Sequence, residues 1–90
     1  MGTTDGVDIK RIGARIRQAR TDAGHDNAAK FADLIGIRSH TLWRYEAGQM
    51  LPGLDALVSI CRVLPVHLWW VATGEGPMRR RATAATGTEG

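Results

Sequence analysis

Asn27-Ala28-Ala29-Lys30-Phe31-Ala32-Asp33-Leu34-Ile35-Gly36-Ile37-Arg38-Ser39-His40-Thr41-Leu42-Trp43-Arg44-Tyr45-Glu46-Ala47-Gly48 is the stretch on which the reading of this chain turns. It holds two short patterns of helical period. In the first, Ala28, Phe31, Ala32, Leu34 and Ile35 are the apolar positions, Asn27 is a good N-cap, and Gly36 supplies a left-handed stop. In the second, Ser39 to Ala47, Leu42 and Tyr45 fall on one face and Gly48 is the stop. Only Gly36-Ile37-Arg38 separates them. Helices joined so tightly cannot lie antiparallel; they cross steeply, with Ile37 plugged into the core and Ala32 small enough to permit a close approach.

Working outward, Ile9, Ile12, Ile16, Ala19 and Ala23 form one stripe of a longer helix, capped by Asp5 or Asp8 and ended by Gly24. After a connector containing Pro52, a fourth helix spans Leu54 to Leu64, with Leu54, Leu57, Val58, Ile60, Cys61 and Leu64 apolar and Pro65 closing it. His67 to Thr73 reads as a fifth, with Leu68, Trp70 and Val71 on its stripe and Gly74 as its stop. Nothing alternates with strand period. The expectation is an all-α domain of five helices over residues 8–77, between a flexible N-terminus at 1–7 and a disordered basic tail at 78–90. The helices are too short and too unequal for a four-helix antiparallel bundle.

Composition narrows the function. Twelve Lys and Arg oppose nine Asp and Glu across the 90 residues, a net charge of +3 that suits a polyanionic partner without demanding one. Lys10, Arg11, Arg15, Arg17 and Arg20 crowd the first helix. The single cysteine, Cys61, excludes an internal disulfide and reads as a small buried hydrophobe, which suits a reducing cytoplasm. No apolar run approaches the roughly 20 residues of a membrane span, and the start lacks the apolar core of a signal peptide. Catalysis needs a nucleophile with its base, or metal ligands. His25, His40 and His67 are scattered and carboxylates do not gather round them, so no enzyme, metal site or cofactor is expected.

Further fragments fall in order along the chain. They are Ile12-Gly13-Ala14-Arg15-Ile16-Arg17, Arg20 before Gly24, Phe31-Ala32, and Leu34-Ile35-Gly36-Ile37. Leu42 and Tyr45-Glu46-Ala47-Gly48 follow, with Pro52 completing Glu-x-Gly-x-x-x-Pro, and then Leu57, Leu64, Val66, Leu68 and Thr73-Gly74-Glu75. Together they make residues 9–77, about three quarters of the chain, closely similar to the lambda-repressor/Cro-like helix-turn-helix family of XRE-type transcriptional regulators. The resemblance implies a compact five-helix domain that binds a palindromic double-stranded DNA operator through the helix at 39–47. A repressor of the Cro or phage-immunity type is implied, cytoplasmic, needing no small-molecule ligand and acting as a homodimer at least on DNA. A fold of this kind also serves antitoxins, which bind a toxin protein as well as their own operators.

Residue by residue, the resemblance implies a buried ion pair between Arg20 and Glu46. With Leu42 and Tyr45 inward, the outer face of the helix presents Ser39, His40, Trp43 and Arg44 as base-contacting candidates. Arg44 suits guanine, whose O6 and N7 a guanidinium can bond together. Trp43 either meets thymine methyls or sugar, or folds back on the scaffold. Asn27, Arg38, Gln49 and Met50 are the phosphate candidates. Departures from the family pattern are Arg38 in place of a capping Ser or Thr, Ala28 in place of Gln, and a loop made one residue longer by His25-Asp26; the unusual residues Arg38, Trp43 and Ala28 are all expected on the DNA-facing side. Arg79, Arg80 and Arg81 form a possible backbone or minor-groove arm. Trp69 falls off its apolar stripe and is a candidate dimer anchor.

Overall fold

Asp8 starts the first helix by accepting the main-chain amides of Lys10 and Arg11 at 3.1 and 3.3 Å. In the computed structural model, which describes residues 8–80, five helices follow: α1 Ile9–Asp22, α2 Ala28–Ile35, α3 Ser39–Glu46, α4 Leu54–Val63 and α5 Leu68–Thr73. The described residues are all-α and contain no strand. One isolated antiparallel bridge joins Val66 to Arg79.

The turn between α2 and α3 is built by Gly36, whose φ of +77° only glycine adopts without strain. The Ile37 amide then reaches back to the Ala32 carbonyl at 3.0 Å, which satisfies a helix end and turns the chain at once. The same device ends α1, where His25 N donates to Arg20 O, and α3, where Gln49 N donates to Arg44 O. One compact stop, used three times, thus ends each of the first three helices.

Helix α3 packs on α1 and α2, α2 also meets α4, and α5 meets α1 and α4. Ile12, Ile16, Phe31, Leu42, Ile60, Leu64 and Val71 are fully buried at the centre. The approach of α1 to α3 is closest at Gly13, where a β-carbon would collide with the carbonyl oxygens of Tyr45 and Glu46. Two residues further along α1, Arg15 Nη1 donates to Val71 O at 2.9 Å, so a guanidinium from α1 covers the end of α5. Both contacts fix the frame that carries α3.

Several boundaries differ from the sequence expectation. Helix α4 stops at Val63, because Leu64 precedes Pro65 and is driven to an extended ψ of 136°. His67 caps α5 rather than opening it, and Ala47 caps α3. Leu34 and Leu54, assigned to apolar stripes, are exposed, since Phe31, Ala32 and Ile35, and Leu57, Ile60 and Cys61, already fill the inward faces. Ile37 is half-buried against the core.

The boundary drawn after Pro77 also moves. Met78 packs against the core, its carbonyl accepts from His67 N at 2.9 Å, and Arg80 N donates to Pro65 O at 2.9 Å. Residues 78–80 therefore lace onto the α4–α5 connection instead of belonging to a disordered tail. The composition of 78–90 concealed this because one methionine supplies the anchor. The expectations for 1–7 and for 81–90, Arg81 included, lie outside the described residues.

Candidate functional site

Arg20 and Glu46 form the inner wall of the candidate site. Arg20 Nε and Nη2 donate to the two Glu46 carboxylate oxygens at 2.8 and 3.0 Å, a fork-to-fork pair between α1 and α3. Their side chains are only 6% and 11% exposed, so water screens them little. The remaining nitrogen, Nη1, donates to the carbonyls of His25 and Asp26 at 2.7 and 3.2 Å. The longer loop thus completes the guanidinium's hydrogen bonding, and His25 tilts over Phe31 with ring centroids 5.3 Å apart. Hydrogen bonding to Glu46 pushes the Arg20 pKa upward, against the opposing effect of burial, with the charges of Glu46 and Asp26 adding to the rise. The guanidinium stays charged throughout the range in which the protein folds.

This pair holds α3 by its inward edge and leaves the other edge free. Ser39, His40, Trp43 and Ala47 are exposed along it, and Arg44 is half-buried on its flank. His40 and Trp43, one turn apart, stack with centroids 5.8 Å apart and planes 15° apart. Trp43 also borders a cleft of about 310 Å³ whose walls include Arg17, Arg20, Ala28, Glu46 and Ala47. The small side chains of Ala28 and Ala47 leave that space open.

The phosphate candidates lie around the ends of α2 and α3. The Asn27 side chain is spent on its own helix, accepting from Lys30 N at 3.0 Å, which leaves the first amides of α2 outward. Arg38 caps α3 in an extended conformation with no side-chain cap bond from itself or from Ser39. Gln49 is exposed, whereas Met50 is half-buried with its side chain packed against the core. Arg17, read from the sequence only as one of the basic residues of the first helix and not as a phosphate candidate, belongs beside them. Its place on the cleft depends on how α1 crosses α3, which no local pattern encodes.

Among the described residues two ion pairs occur, Arg11 with Asp8 and Arg20 with Glu46. Arg17, Lys30, Arg38 and Arg44 accordingly have no carboxylate at ion-pair distance. The arm candidates are placed elsewhere: Arg79 is in the bridge to Val66, and Arg80 Nη2 donates to Leu64 O at 3.3 Å. Trp69 is 63% exposed on α5. No group of three or more His, Cys, Asp or Glu that could hold a metal is gathered among the described residues. Their helices include none long and apolar enough to cross a membrane.

Compared with protein-family models and with curated proteins, the sequence matches none.

Proposed function

We propose that this chain is a sequence-specific binder of double-stranded DNA, a transcriptional regulator of the lambda-repressor/Cro-like helix-turn-helix kind. The observation that carries the reading is the asymmetry of α3. One edge is locked to α1 by the buried Arg20–Glu46 pair, and the other holds Ser39, His40 and Trp43 exposed with Arg44 at its side. A short helix held rigidly on one side and offered to solvent on the other has the form needed to enter a major groove.

The surroundings suit a polyanion. Uncapped amides at the start of α3, free amides at the start of α2, and unpaired Arg17, Lys30 and Arg38 all favour phosphate. Ser39 and His40 stand at the helix start, nearest the base edges, and Arg44 one turn on supplies a guanine contact. One such helix spans few base pairs, so two copies on a palindromic operator are the expected assembly, with the exposed Trp69 as an anchor between them.

Selection of bound duplexes from a random pool tests this directly. The expected result is an enriched inverted repeat whose half-sites lie about one helical turn apart. Arg44→Ala then loses discrimination at one base pair by about 1–3 kcal/mol. Failure to enrich any sequence, with the protein folded, overturns the proposal. A co-purifying toxin-like partner would add a second role without removing the first.

A further inference from the structure

Trp43 leaves 53% of its surface in water on an edge of α3 otherwise occupied by small or polar groups. Its orientation is not loose. The indole stacks on His40 with planes 15° apart, and it borders the cleft beside Arg17 and Ala28, which His40 does not line. At about 100° per residue, with Leu42 and Tyr45 inward, His40 and Ala47 point directly away from the core and Trp43 stands next to them. Ala47 adds only a methyl. The two rings therefore form a flat plate at the centre of the free edge, with the indole as its apolar part.

A polar groove floor gives such a plate little to bury. In the major groove the one apolar group among the base edges is the C5-methyl of a pyrimidine, present in thymine and absent from cytosine. We infer that the His40–Trp43 stack is a reader of the pyrimidine 5-methyl group, so that each half-site carries one thymine recognised by its methyl. This rests on the proposed DNA-binding role of α3 and deepens it: Arg44 reads by hydrogen bonds, and the plate reads by burial. The contact with His40 restricts the indole in advance, which lowers the side-chain freedom lost on binding.

The test uses the full chain and the duplex recovered by random selection. Each thymine is replaced in turn by uracil, which removes the methyl and nothing else. At one position per half-site, Kd is expected to rise about fourfold, the effect of one buried methyl-sized group (about 0.8 kcal/mol). In Trp43→Ala, whose exposed site leaves the fold intact, thymine and uracil duplexes bind alike; in His40→Ala the difference shrinks as the indole loses its support. The inference is overturned if the duplex binds but no uracil changes Kd, as a sugar-facing indole would give, or if Trp43→Ala keeps the difference. Selection of sites with no thymine in the half-site overturns it too. Absence of any bound sequence overturns the DNA-binding reading with it.

Discussion

Arg20 is the buried charged residue of the described core, and its partners account for all three nitrogens of its guanidinium. Removing Glu46 strands that charge at a site with little access to water. Glu46→Ala is expected to lower unfolding free energy by about 3–5 kcal/mol, read by urea denaturation. Replacing both partners, Arg20→Met with Glu46→Leu, recovers only part of the loss, because the carbonyls of His25 and Asp26 are left without their donor. Cys61 is a second residue whose setting determines its chemistry. Burial pushes its thiol pKa up, and the Arg80 charge opposes this less strongly, so the thiol remains protonated at neutral pH. Iodoacetamide should label Cys61 far more slowly in the native protein than in urea; equal rates would contradict its placement.

Glycines in two elements separate steric from conformational cost. At Gly13 a β-carbon meets main chain of α3, which has no flexible end to swing aside. Gly13→Ala gains at most about 1 kcal/mol of helix propensity and loses more by forcing α1 and α3 apart, about 1–3 kcal/mol or greater. At Gly36 nothing lies within 4 Å of the added carbon, so Gly36→Ala pays only for its positive φ, about 1–2 kcal/mol. Thermal melts of the two variants check this; under the proposed function, Gly13→Ala should also displace α3 and weaken duplex binding beyond its effect on stability. The α2–α3 turn tolerates substitution by the usual left-handed cost, whereas the α1–α3 contact admits none.

Across the whole molecule, α1 is the hub. It holds α3 through Gly13 and Arg20 and α5 through Arg15. Residues 78–80 close the far side by binding to the α4–α5 connection. Met78→Ala is expected to cost about 1 kcal/mol, since its side chain is only partly buried, and a melt of the full chain measures it. The charge distribution sets a second expectation at this scale. Each phosphate contact contributes about −0.9 to the slope of log K against log salt concentration. If the proposed DNA binding holds, Arg38→Ala and Arg17→Ala should each flatten the slope by about that amount without changing the preferred sequence. A changed preference with an unchanged slope would place either arginine on bases instead.

The five helices and the compact turn at Gly36 were legible in the chain, because apolar period, caps and glycine stops act over a few residues. The Arg20–Glu46 pair could be named from family resemblance alone, since nothing local joins positions 26 apart. Three features needed the folded molecule: the role of His25 and Asp26 in completing Arg20, Arg17 beside Trp43, and the docking of Met78. Each depends on where two distant elements cross. Trp43 shows the division most clearly. Its spacing from Leu42 and Tyr45 placed it on the free edge of α3, but whether it lay back or stood as a plate depended on His40 one turn away and on the cleft left open by Ala28 and Ala47. Local periodicity determines which way a side chain leaves its helix; only the packing of neighbouring helices decides what space it finds there.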